Sequence, residues 1–150
     1  MEILTIIKDE TVFLELNAAS REECLQVMID GMEKAGFVRD KAAYLAAVNE
    51  REQKGSTGIG FGVAIPHGKS SGIVSAGLAF ARLANPIDWN SLDGKPVQIV
   101  FLIGVSDQDA GNEHMKILIA LSRKLIHEDF RKKLLAANSS AELYEVLQSI

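Results

Sequence analysis

Apolar residues recur along the chain at two spacings, which separate helical segments from strands. Ser20 followed by Glu23 has the pattern of a capping box, and the helical spacing after it continues until Gly36. Asp40 can cap the next helix, and Ser139 with Glu142 can cap the last. The predicted helices cover residues 20–35, 40–51, 113–126, 128–137 and 141–149.

Short apolar runs between these helices are rich in branched residues and predict strands. The predicted strands cover residues 11–16, 63–65, 78–83 and 97–103, with turns at Asn85-Pro86 and Asp93-Gly94. Helices at both ends with strands between them indicate an α/β layered fold whose sheet is covered on both faces. With 150 residues, 47% of them hydrophobic, we expect one domain over residues 1–150.

Composition narrows the classes of partner and compartment. The net charge of -4 is spread along the chain, which argues against a nucleic-acid partner. No apolar run approaches the roughly 20 residues of a membrane helix, and the first residues lack the layout of a signal peptide. Cys24 is the single cysteine and is expected to pack in the core. These features predict a cytoplasmic protein without direct membrane insertion.

The segment "STGIGFGVAIPHGKS", residues 56–70, concentrates glycine around one histidine. Gly58, Gly60 and Gly62 allow a close approach of the backbone to a ligand, or positive φ angles. The spacing is not that of the dinucleotide-binding fingerprint, and no Gly-Lys-Ser/Thr sequence completes a P-loop. Pro66 fixes the backbone just ahead of His67, so we expect this imidazole to be held rigidly with one ring edge open.

A neutral imidazole is a competent nucleophile and also a good leaving group, which suits a carrier that accepts a group and passes it on. A phosphoryl group would need donors that spread its charge. Candidates are the guanidinium of Arg51, the hydroxyls of Ser56 and Thr57, and the start of the helix that carries His114. His114 shares a helix face with leucines at 118, 121 and 125.

Each of these residues also has a purely structural interpretation. His67 can be a turn histidine, His114 a hydrogen-bonded residue at a helix start, and Arg51 a partner for neighbouring glutamates. Trp89 is expected to pack as the anchor of its loop. A metal site built from His67, His114 and Asp107 or Asp109 stays open, although no close ligand pair such as His-x-x-x-His supports it.

The segment "REQKGSTGIGFGVAIPHG", residues 51–68, resembles the active-site signature of the fructose/mannitol-type enzyme IIA domains of the bacterial phosphoenolpyruvate-dependent sugar phosphotransferase system. The resemblance extends over almost the whole chain, through "PIDWNSLDGKPVQIVFLIGV" and "NEHMKILIALSRKL". It implies a mixed β-sheet flanked by helices. It also implies that the domain accepts a phosphoryl group from the carrier protein HPr and donates it to a cysteine of enzyme IIB.

By the same resemblance, His67 is the phosphorylated nucleophile, acting through Nε2, and His114 and Arg51 stabilise the phosphoryl charge. Ser56 and Thr57 are weaker candidates for phosphoryl contacts, and the glycines would form a cradle around the group. The scheme requires no cofactor and no metal.

One departure from the family pattern is Phe61, since many relatives have asparagine at this position. Its ring could contribute to an apolar collar for HPr or enzyme IIB, or pack inward. The combination "GFGVAIPH" with "DWNSLDGKPV" favours the fructose-type branch. Two other functions stay open: a nitrogen-branch regulatory protein whose phosphorylation controls a protein partner, and a small-molecule binding module without phosphotransfer.

Overall fold

The computed structural model describes residues 3–109 and 111–150, without the side chains of Glu113 and His114. Within this part of the chain, a mixed sheet lies between two layers of helices. The helices are α1 Arg21–Lys34, α2 Lys41–Gln53, α3 Glu113–Leu125, α4 Glu128–Ala136 and α5 Ser140–Leu147. The strands are β1 Val12–Leu16, β2 Gly58–Gly60, β3 Val63–Ala64, β4 His67–Ser70, β5 Gly77–Ile87 and β6 Val97–Ser106.

The helices begin where capping side chains are available. Ser20 Oγ accepts a hydrogen bond from the Glu23 amide at 3.2 Å, and Asp40 Oδ1 accepts one from the Ala43 amide at 3.1 Å. Ser139 Oγ accepts from the Glu142 amide at 3.1 Å. These bonds satisfy amide groups that lack a partner in the first turn. The predicted helices are thereby confirmed to within a few residues at each end.

Strand β6 forms the centre of the sheet. The strand order is β1-β5-β6-β3-β2, and β4 pairs with β6 on the same side as β3. β5 is antiparallel to β6, whereas β1 is parallel to β5, and β3 and β4 are both parallel to β6. The sheet is therefore mixed, as the family resemblance implies.

The predicted turn at Asn85-Pro86 is wrong, because β5 continues to Ile87. Pairing with β6 shifts register between Arg82 and Ile87, and the residues between Leu83 and Ile87 are exposed. A proline is tolerated there because an irregular, solvent-facing stretch needs no amide donor from it. The second predicted turn is confirmed: the Gly94 amide donates to the Ser91 carbonyl at 2.9 Å.

Each face of the sheet buries its own hydrophobic cluster. One cluster packs α1 and α2 on the sheet through residues such as Met28, Tyr44 and Leu102, and it includes Cys24. The other packs α3, α4, α5 and residues 3–7 on the opposite face, through residues such as Phe101 and Leu121. Both faces are therefore covered, as predicted. Among the described helices, none has the length and apolar character needed to cross a bilayer.

Candidate functional site

His67 is the first residue of β4. Strands β3 and β4 follow one another along the same edge of β6, and His67 comes directly after the short break between them. Val63 pairs with Ile99 and His67 with Ile103, so both strands keep one register on β6. Pro66 lies in the gap, where its missing amide removes no ladder bond, and its carbonyl accepts from the Ile103 amide at 3.0 Å. The half-buried histidine thus starts a short strand that the sequence did not predict, directly after the proline that was expected to fix its backbone.

The imidazole of His67 is oriented by its own chain. Its Nδ1 lies 2.9 Å from the carbonyl oxygen of Ile65. Because a carbonyl oxygen can only accept, Nδ1 carries the proton of this hydrogen bond. In the neutral ring the proton on Nδ1 leaves a lone pair on Nε2, which is the nitrogen predicted to act as the nucleophile.

Successive residues of β4 face the two helical layers in turn. A Cβ on Gly68 would lie 3.1 Å from the Val48 nitrogen of α2, so this position faces α2. Alternation along the strand places His67 and Lys69 on the other face, which α3 covers. The ammonium of Lys69 donates to the Asp109 carbonyl at 2.9 Å, and this bond holds the loop that leads to α3.

Helix α3 begins at Glu113, as predicted, and buries Ile117, Leu121 and Leu125 on the sheet. The backbone of His114 lies in its first turn, three residues before Ile117. The side chain of His114 is outside the described residues, so its place in the site stays a prediction. Of groups that could hold a metal ion, the described residues contain no cluster of three or more His, Cys, Asp or Glu side chains.

Arg51 lies in the last turn of α2, and this helix runs antiparallel to β4. Gly72 approaches Asp40 at the start of α2, and Gly68 approaches Val48 further along. Arg51 is about one turn beyond Val48, toward the end of β4 at which His67 lies. Its Nη1 donates to the Gly55 carbonyl at 2.8 Å.

The hydroxyls of Ser56 and Thr57 both make bonds that hold the loop between α2 and β2. Ser56 Oγ donates to the Trp89 carbonyl at 2.8 Å and accepts from the Gly58 amide at 3.0 Å. Thr57, only 3% exposed, donates from Oγ1 to Glu52 at 2.6 Å and accepts from the indole of Trp89 at 3.1 Å. Trp89 is buried and anchors its loop, as expected. Phosphoryl contact by either hydroxyl stays a prediction.

Two of the glycines shape the β2–β3 hairpin. Gly60 and Gly62 have φ angles of 103° and 75°, on either side of Phe61 at 61°. The Gly62 carbonyl accepts from the Ile99 amide at 3.0 Å, whereas His67 pairs with Ile103. Four residues of strand span about 13 Å. The positive φ angles of these two glycines allow the hairpin turn, and a cradle of glycines around the phosphoryl group stays a prediction.

Gly58 has a different role from the other two glycines. A Cβ at this position would lie 2.4 Å from Ser91 Oγ, and the Leu92 amide donates to its carbonyl at 2.9 Å. Its lack of a side chain therefore admits the loop between β5 and β6, not a ligand.

Phe61 points outward at the tip of this hairpin. The side chain is 54% exposed, and the guanidinium of Arg131 on α4 lies 4.4 Å from its ring centroid. The Phe61 amide donates to Asp93 Oδ2 at 3.2 Å. The ring thus packs against α4 at the surface, and the hairpin tip is separated from His67 by the length of β3.

Glu52 is the residue that spacing and motif chemistry did not single out. Its Oε2 accepts from the Thr57 amide at 2.7 Å, and its Oε1 accepts from the Thr57 hydroxyl at 2.6 Å and from the indole of Trp89 at 3.3 Å. The only sequence signal was its position between Arg51 and the glycine segment, where an acidic side chain at a helix end is unremarkable.

Comparisons with known proteins show the family of the chain. Residues 5–150 match the family described as "Phosphoenolpyruvate-dependent sugar phosphotransferase system, EIIA 2". The chain is 41% identical over 149 residues to the fructose-specific EIIA component of Haloferax volcanii, covering 99% of this chain and 96% of that protein. Some other curated relatives are several times longer: the chain spans 23% of the fructose-specific EIIABC component of Bacillus subtilis, to which it is 35% identical.

Solved structures share the fold. The nitrogen regulatory protein IIA-Ntr from Neisseria meningitidis superposes with a TM-score of 0.86 at 29% identity, over 95% of this chain and 97% of that one. Enzyme IIA of the mannitol system of Escherichia coli, in its complex with phosphorylated enzyme IIB, gives a TM-score of 0.80 at 23% identity, over 96% and 99% of the two chains.

Proposed function

Because the chain belongs to the EIIA type 2 family of the phosphoenolpyruvate-dependent sugar phosphotransferase system, we propose that it is a phosphocarrier whose phosphorylated residue is His67. The donor is the phosphohistidine of HPr, and the acceptor is a cysteine of a cognate enzyme IIB. The observation that carries the proposal is the hydrogen bond from His67 Nδ1 to the Ile65 carbonyl, because it leaves Nε2 with the lone pair that attacks phosphorus.

Neither the transfer from HPr to His67 nor the transfer from His67 to enzyme IIB needs a general acid or a general base. In the first, the Nε2 lone pair forms a bond to phosphorus, and the donor's P–N bond breaks with its electron pair returning to the donor imidazole. In the second, a thiolate of enzyme IIB attacks phosphorus, and the electron pair of the P–N bond returns to Nε2. The proton on Nδ1 stays in its bond to Ile65 throughout. Positioning and charge stabilisation therefore account for the catalysis.

Arg51 and His114 are proposed to stabilise the transferred group. A guanidinium can contact two phosphoryl oxygens at once, and Arg51 lies at the end of α2 that runs toward the start of β4. His114 would act from the first turn of α3. Ser56 and Thr57 could contribute only by exchanging a bond that now holds the loop.

Uptake of a fructose-type sugar, with the carrier in the cytoplasm, is the proposed physiological role, supported by the 41% identity to a fructose-specific component. The second candidate is a regulatory protein whose phosphorylation controls another protein. Its support is the TM-score of 0.86 to a nitrogen regulatory protein. Both candidates use the same phosphohistidine, so they differ in the partner that receives the signal or the group.

Radiolabelled phosphoenolpyruvate with enzyme I and HPr tests the common step. We expect acid-labile, base-stable label on the protein and none on the His67→Ala variant, whereas undiminished labelling of that variant would contradict the assignment. Adding a fructose-type enzyme IIB then separates the two roles. Rapid loss of label to its cysteine supports transport, and label that stays on His67 supports regulation.

A further inference from the structure

The carboxylate of Glu52 fastens the loop after α2 through Thr57. Both carboxylate oxygens are used: Oε2 accepts the Thr57 amide at 2.7 Å, and Oε1 accepts the Thr57 hydroxyl at 2.6 Å. The indole of Trp89 donates to both partners, at 3.3 Å to Glu52 and 3.1 Å to Thr57. A charged acceptor that takes three donors fixes the backbone of Thr57 more firmly than a neutral one would.

From Thr57, two further hydrogen bonds lead to the imidazole. The Ile65 amide donates to the Thr57 carbonyl at 2.9 Å. The Ile65 carbonyl in turn accepts from His67 Nδ1 at 2.9 Å. The backbone that orients His67 is therefore tied to α2 through Thr57 and Glu52. Since Arg51 precedes Glu52 on the same helix, this connection also couples the position of the guanidinium to that of the imidazole.

We infer that Glu52 is a positioning residue for phosphoryl transfer: through Thr57 and Ile65 it holds the His67 ring with the proton on Nδ1 and the lone pair on Nε2. The expected effect on phosphoryl transfer rests on the proposed function, whereas the expected effect on the tautomer of His67 does not. Without the carboxylate, the backbone of Thr57 is no longer held in one position. The Ile65 carbonyl, which is bonded to it through the Ile65 amide, then varies in its distance and angle to the imidazole. The ring can then populate the other tautomer, which has its lone pair on Nδ1.

The test is Glu52→Gln, whose amide has one acceptor oxygen where the carboxylate has two. Nitrogen-15 NMR of the unphosphorylated protein at pH 8.5 reports which ring nitrogen of His67 is protonated. In the native chain we expect protonated Nδ1 and unprotonated Nε2, and in the variant an average of both forms. In the phosphotransfer assay with phospho-HPr, we expect kcat to fall about tenfold while KM stays within about twofold, since misplacement acts on the chemical step.

Glu50→Gln is the matched control. It removes the same charge from the same helix at an exposed position, and we expect native NMR signals and native rates. If Glu52→Gln does not fold, Thr57→Val decides, because it deletes the hydroxyl bond to Glu52 while keeping the shape of the side chain. Native His67 signals in a folded Glu52 variant, or in Thr57→Val where that variant alone folds, would overturn the inference.

Failure of the proposed function gives a different result. A native chain that takes no phosphate from phospho-HPr would contradict the phosphocarrier role, and the NMR comparison would still show whether Glu52 sets the tautomer.

Discussion

At the scale of single residues, the orientation of His67 is a local property of the chain. The ring bonds to a carbonyl only two residues earlier, at 2.9 Å, and Pro66 fixes the backbone between the two groups. An Ile-Pro-His segment in this conformation therefore supplies the acceptor for Nδ1 from its own backbone. What the rest of the fold contributes is the position of the Ile65 carbonyl and the charge around Nε2.

Arg51→Lys tests the contribution of the guanidinium. Lysine keeps the positive charge but cannot make a planar contact with two phosphoryl oxygens, so we expect transfer from phospho-HPr to slow by about tenfold. The free energy of unfolding should change little, because the lost bond to the Gly55 carbonyl is local and near the surface. Rapid-quench measurement of label on His67, together with urea denaturation, provides both numbers.

Arg39→Lys is the matched control for this experiment, because its guanidinium also donates to a backbone carbonyl, that of Ser71 at 3.0 Å, but at the opposite end of β4. We expect it to transfer at the native rate. A native rate in Arg51→Lys as well would remove Arg51 from the site.

The sequence singled out His67 as the candidate nucleophile, but it did not reveal the bonds that position the ring. His67 stood out because it follows proline in a glycine-rich segment that resembles a known active-site signature. Glu52 was not identifiable, because its bonds to Thr57 and Trp89 depend on how two loops meet. The hydroxyls of Ser56 and Thr57 were assigned to a ligand for the same reason, since composition does not show which donors the protein already uses.

At the scale of elements, predictability follows the range of the interactions involved. The helices were predicted because caps and apolar periodicity lie within each segment. β2 and β4 were not predicted as strands: they have 3 and 4 residues, and they exist only because β3 and β6 provide partners. The extension of β5 past Pro86 was not predicted. A proline fits there because β5 and β6 lose their register, and that shift is a property of the strand pair.

The β2–β3 hairpin stores backbone strain at Phe61, whose φ of 61° is unfavourable for any residue with a Cβ. Phe61→Ala keeps this strain and loses the packing with Arg131, whereas Phe61→Gly loses the packing but relieves the strain. We therefore expect the glycine variant to be more stable than the alanine variant by about 1 kcal/mol, by urea denaturation. Equal stabilities, or a more stable alanine variant, would show that the turn relaxes.

At the scale of the whole molecule, the candidate site lies where both helical layers reach β4. Gly68 admits α2 on one face, and Lys69 bonds to the loop before α3 on the other. The two hydrophobic clusters on opposite faces of the sheet hold these layers in place. Residues distant in sequence, such as Arg51 and His67, therefore have a fixed relation only in the complete fold, which explains why spacing alone did not predict their geometry.

The buried titratable groups of the core predict how the fold responds to alkaline pH. Burial against the sheet raises the pKa of the Cys24 thiol to about 12, and burial raises the pKa of Tyr44 well above its ordinary value. In the unfolded chain these groups ionise near their ordinary values, about 8.5 and 10. The unfolded state thus loses protons that the folded state keeps, so stability is full below about pH 8.5 and falls as the pH rises toward the folded pKa.

Cys24→Ala isolates the contribution of the thiol to this loss. The variant is less stable at pH 8, because it leaves a small cavity beside Met28, but its stability should fall less steeply with pH. A group whose pKa differs between the two states changes the unfolding free energy by up to about 1.4 kcal/mol per pH unit. Between pH 8 and 10.5, the gap in unfolding free energy between the native protein and Cys24→Ala should therefore narrow by about 2.5 kcal/mol. Urea denaturation of both proteins under reducing conditions measures the narrowing. Parallel stability curves would mean that the thiol ionises equally well in the folded protein.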